Sequence, residues 1–189
     1  MSDHLLRSAR WLAADYMARV LRMGDLAVDA TVGNGHDTER LAQLVGPSGR
    51  VVGFDIQEQA LESARRRLTE AALIGRVTLV RDSHANMEAY LDAAPRLIAF
   101  NLGFLPGGDK TVTTLLDSTM SAVETAMRLL APAGMLLVCC YPGHAEGQRE
   151  LDALHAFFAS VPPQEFNILE HSFINAGPGA PVCFAAEKA

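Results

Sequence analysis

The stretch Val28–Ala42, reading VDATVGNGHDTERLA, carries a short apolar run into a helical pattern through a turn that holds Gly33 and Gly35. Two glycines at that spacing let a backbone turn tightly and approach a ligand with no Cβ in the way. A dinucleotide fingerprint, G-x-G-x-x-G, would need a third glycine where Thr38 stands, and a Walker A loop would need G-K-[ST], which does not follow. What remains is an acidic strand residue, Asp29, followed by two spaced glycines. That set suits the cationic end of a ligand better than a pyrophosphate.

Four further polar groups recur at the ends of apolar runs. Asp55 lies about twenty residues past the glycine turn, where a carboxylate can accept both hydroxyl hydrogens of a ribose. It could instead cap the helix that starts near Gln57. Asp82, Ser83 and His84 follow the third run and offer the donor and acceptor that an adenine edge needs, although Ser83 or Asp82 could also cap the next short helix. Asn101 ends the fourth run, ahead of Gly103, Phe104 and a Pro/Gly-rich turn containing Asp109. An amide there can both accept from and donate to a substrate nitrogen. Tyr141 and His144 follow the fifth run; a histidine on that rim is a candidate proton carrier, or simply a helix-start residue.

The elements that would position these groups alternate along the chain. Strands are expected at 26–31, 50–56, 77–82, 96–102 and 134–141, with helices at 38–44, 58–72, 113–130 and 146–158, and a short one near 87–91. Near-continuous Val/Ile/Leu runs separated by helices indicate a parallel sheet covered on both faces. The tail differs. FNILEHSFIN and APVCFAAEK are joined by AGPGAP with no room for a helix, which calls for an antiparallel hairpin at the sheet edge. The expectation is one doubly wound, mostly parallel seven-stranded α/β domain over residues 1–189, with an amphipathic helix at 5–23 packed on it. Ligands in such sheets sit beyond the carboxyl ends of the strands, where the strand order reverses.

Composition narrows the partners. A formal net charge of −6 argues against nonspecific duplex DNA binding, which needs clustered cations, and the local run Arg65-Arg66-Arg67 reads as a solvated helix face. Its three cysteines, two of them adjacent at 139 and 140 and so on opposite faces of a strand, form no disulfide framework and read as buried free thiols in a reducing compartment. The opening MSDHLLRSARWLAADYMARV carries charges throughout, so no signal peptide is expected, nor any membrane span; the protein reads as cytoplasmic.

DATVGNGHDT, NLGFLPGGDKTVTT, YPGHAEGQRE and FINAGPGAPVCFAAEK together resemble the small class I S-adenosylmethionine-dependent methyltransferases of the rRNA methylase family, across almost the whole chain. Members of that family are implied to methylate the tRNA wobble uridine, converting 5-aminomethyl-2-thiouridine to 5-methylaminomethyl-2-thiouridine. The class I pattern Asp-x-Gly-x-Gly-x-Gly is matched by Asp29, Gly33 and Gly35, with Thr31 at the first glycine. The resemblance implies that Asn34 and Asp37 face the methionine end of the cofactor. It places Asp55, Ile56 and Gln57 at the ribose side, and Asp82, Ser83 and His84 at the adenine side, with His36 and Thr38 completing the glycine loop. NLGF resembles the Asn-Pro-Pro-aromatic element of amine-directed methyltransferases, with Asn101 and Phe104 matching and both prolines absent.

On that reading the cofactor is S-adenosylmethionine with no metal, the partner is the anticodon region of a tRNA, and a homodimer is left open. Asn101 orients the acceptor amine, His144 or Asp109 takes its proton, and Tyr141 and Phe104 offer stacking faces. Three alternatives share parts of the pattern. A methyltransferase of rRNA or of a small molecule would use the same cofactor residues. An NAD-dependent oxidoreductase would want the missing third glycine. A non-enzymatic cofactor-binding module would leave the polar rim at Asn101, Asp109 and His144 without a purpose.

Overall fold

The computed structural model describes residues 8–104, 107 and 113–189. In chain order its elements are α1 (Ala9–Val20), β1 (Leu26–Asp29), α2 (His36–Val45), β2 (Arg50–Phe54), α3 (Glu58–Glu70), β3 (Val77–Val80), β4 (Leu97–Asn101), α4 (Leu116–Leu129), β5 (Met135–Cys140), α5 (Ala145–Ser160), β6 (Phe166–His171) and β7 (Val182–Lys188). A 3₁₀ segment at His84–Tyr90 takes the place of the short helix expected near 87–91. The expected strands are all present, β1 to β5 each ending one to two residues earlier than the apolar run that predicts it, and β6 four residues earlier. Those trimmed residues, Thr31, Ile56, Asp82 and Leu102 among them, form the rim loops.

The seven strands stand in the order β3-β2-β1-β4-β5-β7-β6. β1 pairs in parallel with both β2 and β4, so the order reverses between β1 and β4. The tail hairpin is antiparallel as expected, but its second strand lies inside the first: β7 inserts against β5, and β6 forms the edge. β7 is the more apolar of the two and is buried from Val182 to Ala186, whereas β6 alternates and tolerates an edge.

Strand alternation divides the core in two. Val28, Ile98, Phe100, Leu136, Val138 and Cys140 face α4 and α5, while Ala27, Leu97, Ala99, Leu137, Cys139 and Cys183 face α1 and α2. Both faces are covered, which is why the strands read as continuous apolar runs. The adjacent cysteines fall on opposite faces, and all three thiols are free and buried. No helix among the described residues is long and apolar enough to cross a membrane.

One small residue in the sheet sets the position of the glycine turn. A Cβ on Gly53 would stand 2.6 Å from Val32 Cγ2. Val32 is itself buried and donates its backbone N–H to Phe54 O at 3.0 Å. The empty space over Gly53 is therefore the seat of the residue that precedes Gly33. Gly53→Ala is expected to cost about 1–3 kcal/mol through overpacking. Denaturant titration measures that loss, and unchanged stability would show that Val32 has another place to go.

Candidate functional site

The site lies at the carboxyl ends of β1, β2, β3, β4 and β5, and its foundation is a buried carboxylate. Asp29 ends β1 fully buried. Its Oδ1 accepts from Thr31 N at 3.1 Å, and its Oδ2 accepts from Thr38 Oγ1 at 2.6 Å. These bonds hold both ends of the glycine turn: the residue leaving the strand and the first turn of α2. Burial, followed by the nearby charge of Asp37, pushes the Asp29 carboxyl up from 3.8 to about 7, and the donors Thr38 and Thr31 oppose that rise.

Above this base the turn runs through two left-handed glycines, Gly33 at φ 52° and Gly35 at φ 78°. Gly35 is also the residue at which α2 packs on α3, since a Cβ there would lie 2.8 Å from the Ala64 backbone. Any side chain at this position would force the two helices apart. Asp55, beyond β2, fastens the turn from the other side: Oδ2 accepts from Gly33 N and Oδ1 from Gln57 N, both at 2.9 Å. The helix-capping alternative for Asp55 does not hold, because Gln57 is the N-cap residue of α3. Asp55 instead ties two loops together, and each oxygen keeps lone-pair capacity toward the cleft.

Two cavities open here. The first, about 380 Å³, is bounded by Thr31 and Gly33 of the glycine turn, by Asp55, Ile56 and Gln57 after β2, and by Asp82, Ser83 and His84 after β3. Ala30, Phe54, Thr113, Thr114, Leu115 and Ser118 complete it. The second, about 440 Å³, is bounded by Asn34, His36 and Asp37, by Tyr141 and His144 after β5, and by Ser8, Arg10, Val32, Leu102 and Pro181. Thr31, Gly33, Asn101, Gly103 and Phe104 border both.

Asn101 is thus on the shared wall. Its backbone N–H donates to Thr31 Oγ1 at 2.7 Å, and its Nδ2 donates to Asp37 Oδ2 at 2.8 Å. The Thr31 hydroxyl thereby clasps the ends of β1 and β4 where the strand order reverses. Gly103 and Phe104 next in sequence are held from below. Gly103 N donates to Thr114 Oγ1 at 2.9 Å, and that hydroxyl donates to the buried Glu150 of α5, also at 2.9 Å. Burial pushes the Glu150 carboxyl up, against the pull of its Thr119 and Thr114 donors.

Several expected site residues sit elsewhere than on a cavity wall. Asp29, Gly35 and Thr38 border neither cavity; they lie beneath the turn and shape it, because a buried carboxylate was needed there to collect donors from the loop. Asp109 and most of the LPGGDK turn lie outside the described residues. Ser83 does cap the following 3₁₀ segment, accepting from Ala85 N at 3.2 Å, while still bordering the first cavity. Asp82 accepts from Tyr90 Oη at 2.7 Å, Asn86 Nδ2 at 2.8 Å and Ser83 N at 2.7 Å, which holds its carboxyl below the ordinary range.

His144 departs from the proton-carrier expectation in a specific way. It is the N-cap of α5, and its Nδ1 accepts from Gly147 N at 3.0 Å. In the neutral ring Nε2 then carries the proton, so this arrangement makes the imidazole a donor with no lone pair to spare. Its ring lies 5.9 Å from that of Phe104. Tyr141 is largely buried, which pushes its hydroxyl up to about 12 and keeps it neutral. Some wall residues were not singled out as site residues in the sequence, Arg10 and Thr113 among them. Arg10 reaches the second cavity from α1, and Thr113 closes the first from beyond the Pro/Gly-rich turn. Among the described residues no cluster of His, Cys, Asp and Glu could hold a metal ion.

A mostly parallel seven-stranded sheet with a β7 hairpin beside β5, and a glycine turn at the strand-order reversal, define the class I methyltransferase fold. The family described as "Putative rRNA methylase" matches residues 51–187, and the chain belongs to it. A putative rRNA methylase from Clostridium thermocellum superposes with a TM-score of 0.96 at 38% identity, over 98% of this chain and 100% of that one. A putative methyltransferase from Streptococcus mutans, solved in complex with SAH, gives a TM-score of 0.90 at 31% identity, with 98% and 100% covered. The chloroplastic tRNA (mnm(5)s(2)U34)-methyltransferase of Arabidopsis thaliana is 37% identical over an alignment of 176 positions that covers 87% of this chain. The chain spans 63% of that relative's length.

The raised Asp29 carboxyl carries a stability signature. Its folded pKa lies above the ordinary 3.8, so the fold binds the proton more tightly than the unfolded chain does. That contribution is complete below about pH 4 and is lost as pH rises through about 7. At about 1.36 kcal/mol per tenfold change in proton affinity, the loss is on the order of 3–4 kcal/mol. Urea titrations from pH 4 to 8 should show wild-type stability falling relative to Asp29→Asn, which cannot ionise. Parallel pH profiles for the two proteins would count against a raised Asp29.

Proposed function

We propose that the chain transfers a methyl group from S-adenosylmethionine to the exocyclic amine of 5-aminomethyl-2-thiouridine at the tRNA wobble position. The observation that carries this reading is the pair of cavities meeting at Asn101. One has the groups a nucleoside cofactor needs, and the other has aromatic walls and, on the shared wall, the Asn101 amide for an acceptor base. The chloroplastic relative's name supports the tRNA acceptor, and the neighbour solved with SAH supports the cofactor alone.

The first cavity fits the cofactor on its own chemistry. His84 Nδ1 lies 3.1 Å from Ala30 O, so Nδ1 carries the ring proton and donates, leaving Nε2 an acceptor. Nε2 is buried without a hydrogen-bond partner, and burial lowers the ring's pKa so that it stays neutral. An orphaned buried acceptor beside a cavity is a group waiting for a donor. Asp55 supplies acceptors for hydroxyls, and Ile56, largely exposed, supplies an apolar face. Residues of the glycine turn would hold the amino-acid end. When bound, S-adenosylmethionine supplies a methyl group on a sulfonium, open to in-line displacement.

The protein's work is then alignment and desolvation of the acceptor. An alkylamine with an ordinary pKa of about 10.4 is protonated at neutral pH, and freeing its lone pair costs about 4–5 kcal/mol. Asn101 Oδ1 accepts from an amine N–H and holds the nitrogen at the wall between the cavities. Phe104 and Tyr141 receive a base turned out of its stack. His144 contributes ring contact and a donor. Among the described residues Asp37 is the carboxylate bordering the same cavity, and its Oδ2 is taken up by Asn101 Nδ2.

Asn101→Ala tests the reading. Mass spectrometry of tRNA nucleosides, after incubation with the chain and S-adenosylmethionine, should show the methylated amine for the wild type. The variant should form about 10²–10³-fold less of it, as expected for loss of a group that aligns the reacting atom. Calorimetry should find SAH affinity changed only a few-fold. Near-normal product from the variant would rule out the amine-holding role of Asn101.

A further inference from the structure

A carboxamide has two ends of nearly equal size, one accepting and one donating. An amine acceptor needs the oxygen; a flipped amide would offer an N–H that engages the lone pair needed for attack and opposes the positive charge that develops as the methyl arrives. The reading of Asn101 as an amine holder therefore demands something that fixes which end faces the cavity. We propose that Asp37 is that positioning residue, and that its carboxylate sets the polarity of Asn101 for an amine. This inference rests on the proposed function.

The geometry is specific. Asn101 Nδ2 donates to Asp37 Oδ2 at 2.8 Å. A carboxylate only accepts, so it selects Nδ2 and turns Oδ1 away from itself. A flip would set an amide oxygen against a carboxylate oxygen at the same separation. The Asn101 backbone is already fixed by its bond to Thr31 Oγ1, so the amide rotation is the freedom left for Asp37 to remove.

Asp37 is itself held in place. It lies in the first turn of α2, where the helix N-terminus favours a negative charge. Its neighbour Thr38 is fastened to Asp29 underneath. Its other oxygen, Oδ1, is 4.0 Å from the Arg10 guanidinium, and its side chain is only 13% exposed. Asp37 borders the second cavity and not the first, which separates it from the groups that would meet the nucleoside end of the cofactor. The charge behind the amide also polarises Oδ1, strengthening it as an acceptor.

A purely structural link between α2 and β4 would also use this bond, so the experiment must separate the two. Asp37→Ala is expected to lower kcat for the tRNA amine by about 10–100-fold, the scale of a misaligned or unpaired polar group. SAH affinity should fall by much less than kcat, since the amide polarity matters to the amine and not to the product cofactor, even though Asp37 stands beside the turn that would hold the amino-acid end. Asp37→Asn, which keeps an acceptor oxygen, should recover part of that loss. In an Asn101→Ala background, Asp37→Ala should cost little more, since the group it positions is gone. Multiplicative losses in the double variant, or SAH affinity falling in step with kcat, would overturn the proposal.

A readout independent of any acceptor is the side-chain NH₂ pair of Asn101 in ¹H–¹⁵N spectra, assigned by its disappearance in Asn101→Ala. The pair should show one proton shifted and slowly exchanging in the wild type, and lose both features in Asp37→Ala. If the wild type methylates no tRNA amine, the functional reading fails, and these spectra alone decide the clasp. An NH₂ pair that is the same in wild type and Asp37→Ala overturns it whatever the acceptor is.

Discussion

A buried carboxylate at the end of the first strand is the constraint on which the site depends. Asp29 has no solvent, so its oxygens must take donors from the protein. The donors within reach are the Thr31 amide and the Thr38 hydroxyl, one on each side of the glycine turn. Satisfying Asp29 therefore dictates the path of the loop between them. Gly33 and Gly35 make that path sterically allowed, and Asp55 fastens its outer side through the Gly33 amide.

From that loop the order extends outward. Thr31, anchored by its amide, uses its hydroxyl to receive Asn101 from the neighbouring strand. Asp37, carried on the helix that Thr38 pins, takes the Asn101 side chain. A chain of short bonds thus connects the wall of the first cavity to the group that would hold the acceptor. A second chain runs from Gly103 through Thr114 to Glu150 and holds the opposite edge. The two cavities are separate in lining yet share one wall, the arrangement an in-line transfer between two bound molecules requires.

The same residues show how structural and chemical roles overlap. Asp55 both braces two backbone amides and borders the cavity, so its removal would loosen the turn as well as delete an acceptor. His144 caps a helix with one nitrogen and stands over Phe104 with its ring. Ser83 caps a 3₁₀ segment on the cavity rim. Cap residues collect at strand ends because helix starts do, and in a doubly wound sheet those ends are where ligands bind.

The sequence by itself determined the order of elements, the double covering of the sheet and the rim loops, because strand and helix periodicities are local and each apolar run declares whether it is buried on two faces. It also singled out Asp55, His84, Asn101 and Tyr141, since each follows an apolar run at the end where ligands gather. The tertiary structure alone decided that β7 lies inside β6, that Asp29 and Thr38 sit under the turn, and that His144 spends its lone pair on a helix start. Only folding could bring Arg10 to the second cavity and set Asp37 against Asn101, because those pairings span 27 residues or more. A local pattern records what a residue can do; which partner it meets is settled by packing.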